Sequence, residues 1–179
     1  MGFELRQAVE TDVAAIGDLI AASVRGLAKG IYDETQIELS IHSVFGVDHQ
    51  LIADGTYFVA KLDDGRIVGC GGWSKRRTLY GASAYADSRD PEMLDPMEDA
   101  AKIRAFFVHP DAARKGIGRA ILARCESEAV AMGFQSAEMM ATLPGVPLYE
   151  ACGYEKQEAV GVPLGDGFEI ECIRMRKEF

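Results

Sequence analysis

One stretch near the middle of the chain constrains the fold more than any other. Residues 102–108 are strongly apolar and predict a β-strand, which Pro110 ends. Residues 111–115 predict a turn, and a helix is expected to begin at Gly116 and to end at Gly133. The apolar residues that would form its buried stripe are Ile117, Ile121, Leu122, Cys125, Ala129 and Met132. A strand, a tight turn and a helix in this order favour a domain in which helices pack on a sheet.

The turn between this strand and this helix has the composition of an anion site. The first turn of a helix has free N–H groups, and its dipole adds about half a positive charge there. Gly116 and Gly118 carry no side chain, so a diphosphate can approach the backbone. Arg114, Lys115 and Arg119 add three cations. The alternative is a helix entrance that needs glycine and carries cations for solubility. The turn lacks the third glycine of a dinucleotide fingerprint and the Gly-Lys-Ser/Thr of a P-loop.

The rest of the chain predicts a mixed α/β domain in the order β-α-α-β-β-β-α-β-α-β-β. Strands are expected at residues 3–8, 56–61, 66–73, 136–141, 155–160 and 168–176. Helices are expected after Thr11 or Asp12, in an irregular region at 28–45, and at 147–151. Residues 78–96 are rich in Gly, Ser, Asp and Pro and predict a long loop, which in a compact domain is more often functional than accidental.

Length and composition narrow the class of protein. The 179 residues, of which 48% are hydrophobic, predict a single domain over residues 1–179. The net charge of −9 makes nucleic acid an unfavourable partner and favours a cationic one, such as an amine. Four widely spaced cysteines, without a CxxC pair, indicate reduced thiols and no metal site. No apolar run approaches the roughly 20 residues of a membrane span, and no signal peptide is evident, so we expect a cytoplasmic protein without a membrane partner.

The strand, turn and helix resemble the signature of the GNAT superfamily of acetyltransferases. That signature is Arg or Gln, two residues, Gly, any residue, then Gly or Ala, and it follows the fourth strand. Gly116 and Gly118 occupy the two small positions. Ala113 stands where the family has Arg or Gln, and the neighbouring Arg114 is the candidate to replace that side chain.

A second segment, at residues 143–154, resembles a later motif of the same family. In that motif a tyrosine precedes a Gly-aromatic pair, and Tyr149, Gly153 and Tyr154 match it. Pro144 stands where family members often carry an Asn that contacts the pantetheine arm. The two motifs at this spacing make the resemblance specific, and the predicted strand order matches the family fold along nearly the whole chain.

The resemblance implies a fold and a cosubstrate. The GNAT fold has a central twisted, mostly antiparallel sheet that is splayed between strands 4 and 5, with helices on both faces. The cosubstrate is acetyl-CoA, whose pantetheine arm pairs with strand 4 in the gap, and no metal is required. The residues expected to bind it are Phe106, Phe107, Val108, Arg114, Lys115, Gly116, Ile117, Gly118 and Arg119.

The resemblance also implies direct attack of an amine on the thioester carbonyl. A backbone N–H near Val108 would stabilise the carbonyl oxygen, and Tyr149 would protonate the leaving thiolate. A phenol has a pKa of about 10 and a thiol about 8.5, so this transfer is slightly uphill. Strand 4 lacks the glutamate that many members use as a base. The remaining candidates for the base, directly or through water, are Asp33, Glu34, Glu98, Asp99 and His109.

The acceptor is expected to be a primary amine of a small molecule or a peptide. Residues 31–34, 73–77 and 78–96 are the candidate walls of its site, and Arg76 and Arg77 either bind an acceptor carboxylate or are solvated cations. The alternative function is an acyl-CoA sensor or pseudoenzyme with the same fold. A member that acetylates aminoacyl-tRNA would need a basic surface, which this acidic chain does not favour. A homodimer is compatible with the resemblance.

Overall fold

A computed structural model describes residues 2–85 and 90–179 of the protein. The strands in the described residues are β1 (Glu4–Gln7), β2 (Tyr57–Lys61), β3 (Ile67–Ser74), β4 (Ala101–Val108), β5 (Ser136–Thr142), β6 (Glu155–Gly165) and β7 (Phe168–Glu178). The helices are α1 (Val13–Leu27), α2 (Glu34–His42), α3 (His49–Ala53), α4 (Ile117–Ala131) and α5 (Val146–Ala151). None of these helices is both long enough and apolar enough to cross a membrane.

The strands form one sheet in the order β1-β2-β3-β4-β5-β7-β6. All neighbouring strands are antiparallel except β4 and β5, which are parallel. The β4–β5 ladder consists of two pairs, Ala101 with Ala137 and Lys102 with Glu138, and it ends there. The remainder of β4, from Ile103 to Val108, has no β5 partner. The predicted mixed sheet with a splay between strands 4 and 5 is therefore confirmed.

Helices cover both faces of the sheet, as predicted. On one face α4 buries Ile117, Ile121 and Leu122 against β2, β3 and β4. On the other face α1 buries apolar residues, among them Ile16 and Ile20, in a second core cluster. The expected C-cap of α4 is confirmed, because Gly133 follows the helix with a φ of 96°, a conformation that favours glycine.

The prediction of one irregular helical region at residues 28–45 was wrong in its extent. Within this region the structure has one shorter helix, α2 (Glu34–His42), and a further helix that was not predicted, α3 (His49–Ala53), follows it. Each begins at its own N-cap. The carboxylate of Asp33 accepts from the N–H of Gln36 at 2.8 Å, and that of Asp48 accepts from Leu51 at 3.2 Å. Side-chain caps of this kind decide where a helix starts, and the apolar pattern alone did not indicate the second one.

The last hairpin is longer than predicted. Strand β6 continues to Gly165, whereas the sequence predicted its end at residue 160. The two residues of the turn, Asp166 and Gly167, both have positive φ values of 52° and 78°, which is the geometry of a tight hairpin turn. Of the predicted loop at 78–96, residues 86–89 lie outside the described residues. Its first part packs on the α2–α3 connection, where Ala82 donates to the carbonyl of Val44 at 2.8 Å.

Candidate functional site

The turn before α4 exposes a run of backbone amides. Arg114 and Gly116 have φ values of 60° and 85°, while Lys115 between them has a negative φ. When φ alternates in sign along three residues, successive N–H groups point into one concave surface, which is the geometry of an anion site. The amides of these three residues donate to no group in the described part of the chain. The turn therefore presents unsatisfied donors to solvent.

Helix α4 adds its own free amides to this turn. Gly116 is the N-cap, and no side chain caps the helix, so the first intrahelical bond runs from Ala120 to Gly116 at 2.9 Å. Gly118 is buried, and a Cβ there would lie 2.8 Å from a methyl group of Leu148 in α5. Gly118 thus permits α5 to pack closely against the first turn of α4. Ile117 contributes only its backbone, because its side chain is in the core.

Three cations surround the exposed amides, as the sequence predicted. Arg114, Lys115 and Arg119 are all exposed. The ammonium group of Lys115 donates to the carbonyl of Asp111 at 2.6 Å, and Arg119 reaches the carbonyl of Ala151 at 3.4 Å. Neither bond neutralises a charge, so the turn keeps its positive potential in a chain of net charge −9.

Strand β4 leads directly from the splay to this turn. Ala105 has a φ of 56°, and the pairing with β3 shifts register at this point, which is a β-bulge. The bulge turns Phe106 towards the α4 core and Phe107 towards the α1 core. The N–H of Val108 donates to the hydroxyl of Ser23 in α1, at the long distance of 3.3 Å. The predicted donor near Val108 is therefore weakly engaged by the protein itself.

A cleft lies beside the splay and contains about 680 Å³ of empty space, part of it open to solvent. Its floor is formed by β4 and β5, including Phe107 and Met140. The α2–α3 connection and the loop after β3 form walls, through residues such as Phe45 and Tyr80. Val162 of β6 also lines the cleft. The sequence did not indicate that Phe45, Tyr80, Met140 and Val162 share one cleft, because they come from separate segments of the chain.

Tyr149 is placed at this cleft by α5. The residue is 7% exposed, and its ring packs edge-on against Phe106 and Tyr154, with centroids 6.2 Å and 6.1 Å away. Its hydroxyl has no hydrogen-bond partner among the described residues, although it lines the cleft. Burial raises the pKa of this phenol, so the hydroxyl keeps its proton at neutral pH. Tyr149 is thus available to donate a hydrogen bond into the cleft.

A buried ion pair that the sequence did not predict supports one wall of the cleft. Arg104 in β4 pairs with Asp48, and their side chains are only 2% and 1% exposed. The guanidinium also donates to the carbonyl of Thr78 at 2.9 Å. Asp48 caps α3 at the same time. The pair therefore joins β4, the start of α3 and the loop after β3 at the point where they enclose the cleft.

The five residues considered as a base all lie away from the cleft lining. Asp33 is occupied as the N-cap of α2, and Glu34 lies in the first turn of that helix. Glu98 and Asp99 are in the connection before β4, where Asp99 accepts from the N–H of Asp95 at 2.8 Å. His109 accepts from the N–H of Asp111 at 3.2 Å. The described residues also contain no group of three or more potential ligands that could hold a metal ion.

The predicted acceptor residues have mainly structural partners. Arg76 binds the carboxylate of Asp54 with two of its three guanidinium nitrogens, at 2.8 Å and 2.9 Å. Arg77 pairs with Glu92 at 3.1 Å. The hydroxyl of Tyr32 donates to the carbonyl of Glu171 at 2.5 Å and accepts from the N–H of Leu143 at 2.9 Å.

Trp73 is likewise structural. It is 1% exposed, so it packs in the core, and its ring N–H donates to Glu128 at 3.2 Å. The tryptophan, both arginines and Tyr32 therefore already have partners within the protein.

Comparison with known protein families gives a match over most of the chain. Residues 27–154 match the model of the Acetyltransferase (GNAT) family. That range includes the exposed turn, the splayed strand and Tyr149. A comparison with curated proteins found no match.

Solved structures share the fold at low sequence identity. A GCN5-related N-acetyltransferase from Rhodopseudomonas palustris is 20% identical with a TM-score of 0.73. The match covers 100% of the present chain and 97% of the Rhodopseudomonas chain. The PaiA N-acetyltransferase from Thermoplasma acidophilum, solved with coenzyme A, is 15% identical with a TM-score of 0.66 and full coverage of both chains (100% and 100%). A phosphinothricin acetyltransferase from Sinorhizobium meliloti, solved with acetyl-CoA, is 22% identical with a TM-score of 0.65. The match covers 100% of the present chain and 89% of the phosphinothricin acetyltransferase.

Proposed function

The chain belongs to the Acetyltransferase (GNAT) family, and from this premise we propose that it transfers the acetyl group of acetyl-CoA to the primary amine of a small-molecule or peptide acceptor. The observation that carries the proposal is the arrangement along one strand. Strand β4 loses its β5 partner after Lys102 and then leads, through a bulge, into a turn of unsatisfied amides. A long cosubstrate with an anionic end and a thioester end suits that arrangement.

The turn before α4 fits the diphosphate of coenzyme A. The amides of Arg114, Lys115 and Gly116, together with those of Ile117 and Gly118, supply donors for phosphate oxygens. The side chains of the three cations supply charge. Ala113 stands where the family has Arg or Gln, so this chain lacks one side-chain contact to the diphosphate but keeps all of these amides.

The gap beside β4 fits the pantetheine arm. Amide groups of an extended arm would pair with the backbone of Phe106, Phe107 and Val108, which lie beyond the end of the β4–β5 ladder. For the N–H of Val108 to bind the carbonyl oxygen of the thioester, it must exchange its long hydrogen bond with Ser23. A hydrogen bond of 3.3 Å is at the weak end of the range, so this exchange costs little.

In the reaction, the lone pair of the amine nitrogen attacks the thioester carbonyl carbon. A C–N bond forms, the C–S bond breaks, and coenzyme A leaves as a thiolate. Tyr149 donates a hydrogen bond to the departing sulfur. Because burial raises the pKa of this phenol, complete proton transfer to the sulfur is uphill, and Tyr149 assists without being indispensable. The proton lost by the amine passes to water in the open part of the cleft.

Release of coenzyme A with a panel of amines tests the proposal. Steady release that depends on an amine, together with an N-acetylated product in mass spectrometry, is the expected result. The competing function is an acyl-CoA sensor with the same fold. Tight acetyl-CoA binding in calorimetry without turnover of any amine would favour the sensor and contradict the enzyme.

A further inference from the structure

We infer that the acceptor is a primary monoamine carried on an apolar, aromatic-sized body, and that Phe45 selects it. The inference rests on the proposed function and adds the class of acceptor that this site takes. It is based on the walls of the cleft beside the β4–β5 splay, which the family resemblance did not predict.

The aromatic walls of the cleft come from three segments of the chain. Phe45 lies in the α2–α3 connection, Tyr80 in the loop after β3, and Phe107 in β4. The rings of Phe45 and Phe107 meet edge to face, with centroids 5.6 Å apart. All three residues are half-buried, so each presents apolar surface to the cleft without being covered by the core. A concave surface of this kind gains affinity by covering an apolar body of similar size.

The lining that β5, β6 and β7 contribute to the cleft is also apolar. Met140 of β5 and Val162 of β6 line it, and both belong to the core cluster that includes Phe107. Cys172 of β7 lies beside them, and burial raises the pKa of its thiol to about 12, so it is neutral at physiological pH. An acceptor body in the cleft is therefore surrounded by apolar side chains and neutral groups on this side.

Arg104 is the one ionised side chain among the described residues that line the cleft. Its guanidinium is paired with Asp48 and bound to the carbonyl of Thr78. The pair with Asp48 balances the charge of Arg104, so the described lining offers no anion to an ammonium group. Burial disfavours the charged form of the amine, so a bound amine loses its proton more readily than in water. This helps the reaction, because the neutral amine is the nucleophile. A diamine pays the same penalty at its second ammonium group without any gain in reactivity.

The experiment compares two amines on the full-length protein at saturating acetyl-CoA. Phenethylamine carries one amine on an aromatic body, whereas putrescine is a flexible dication of similar length. We expect kcat/KM to be at least about tenfold higher for phenethylamine, the scale on which an apolar pocket discriminates. Equal or higher kcat/KM for putrescine would overturn the inference while leaving acetyl transfer in place.

The variant Phe45→Glu tests the residue that we assign to selectivity. It replaces an aromatic wall by a carboxylate. The ratio of kcat/KM for phenethylamine to kcat/KM for putrescine should therefore fall about tenfold, with kcat/KM for putrescine rising. The matched control is Phe168→Glu, on an exposed phenylalanine in the β6–β7 hairpin that does not line the cleft. An unchanged preference in Phe45→Glu, or an equal change in the control, would overturn the assignment.

Binding separates a failure of this inference from a failure of the proposed function. Calorimetry in the presence of coenzyme A measures the dissociation constant of phenethylamine and of putrescine without any turnover. One outcome is that no amine releases coenzyme A, yet phenethylamine binds more tightly than putrescine and only Phe45→Glu abolishes the difference. In that case the enzyme proposal fails, and the class of amine that the cleft binds stands. Tighter binding of putrescine contradicts the acceptor class whatever the turnover.

Discussion

The turn before α4 and the cleft beside the β4–β5 splay are built in opposite ways. The turn is a contiguous run of residues, 113–119, and offers backbone amides and exposed cations. The cleft is assembled from the α2–α3 connection, the loop after β3, and parts of β4, β5, α5, β6 and β7. Its surface is mainly apolar, and its charged residue Arg104 is paired inside the protein.

The difference separates what the family shares from what distinguishes this chain. A diphosphate is the same in every reaction that uses acetyl-CoA, so a short local motif is sufficient to bind it. Acceptors differ in shape and charge, and their site is formed by side chains from distant segments. Changes in the turn should therefore act mainly on acetyl-CoA binding, and changes in the cleft walls outside β4 should act mainly on acceptor use or stability.

The largest effect is expected from Asp48→Asn, in the wall of the cleft. Asparagine can still cap α3, but it removes the negative charge from the buried ion pair with Arg104, which costs about 3–5 kcal/mol of unfolding free energy. Urea denaturation measures this loss. The control Asp64→Asn breaks an exposed pair with Arg66 and should leave the midpoint unchanged. If the folded variant binds acetyl-CoA as tightly as the native protein, the turn is independent of the cleft wall, as we expect.

Gly118→Asp should have the next largest effect, on acetyl-CoA binding. Its Cβ would collide with Leu148, and its carboxylate would repel the diphosphate. Loss of a charge-assisted contact costs about 1.5–3 kcal/mol, which corresponds to about 10- to 150-fold weaker binding in calorimetry. Gly17→Asp on α1, where a Cβ meets nothing within 4 Å, is the control. Native affinity in Gly118→Asp would rule out the turn as the diphosphate site.

Tyr149→Phe should lower kcat about tenfold and leave acetyl-CoA affinity unchanged. This is less than the roughly hundredfold or more of a full proton donor, because Tyr149 only donates a hydrogen bond to the departing sulfur. The raised pKa of this phenol means that its proton is retained at neutral pH and is not lost until well above pH 10. The contribution of Tyr149 should therefore be constant from pH 7 to pH 9. Tyr154→Phe, which removes a neighbouring buried hydroxyl, is the control for packing. Equal kcat for native protein and Tyr149→Phe at every pH would remove Tyr149 from the mechanism.

The smallest effect is expected from Lys115→Gln in the exposed turn. Removal of one solvated cation should weaken acetyl-CoA binding only about threefold at low salt, and the difference should shrink as salt rises. Isothermal titration at two ionic strengths measures this. The matched change Lys156→Gln, on exposed β6, should have no effect on acetyl-CoA binding at either salt concentration. A salt-independent loss in Lys115→Gln would contradict an electrostatic role.

Local pattern was sufficient to predict most elements of the fold. The alternation of β2 and β3, the apolar run of β4 and the stripe of α4 each appear within one short window, and the structure has them at nearly the predicted residues. Helix α3 was not predicted, because its start depends on the side-chain cap at Asp48. That carboxylate faces Arg104, 56 residues further along the chain, and no pattern in either segment indicates the pair.

The sequence by itself determined the turn that we propose as the diphosphate site, since glycine at a left-handed position, free amides and neighbouring cations are all properties of adjacent residues. Only the tertiary structure decided what the cleft presents to an acceptor. Packing brings Phe45 against Phe107, Asp48 against Arg104 and Ser23 against the amide of Val108. The physical reason is that backbone geometry depends on near neighbours, whereas burial and pairing of side chains depend on which surfaces the whole fold places together.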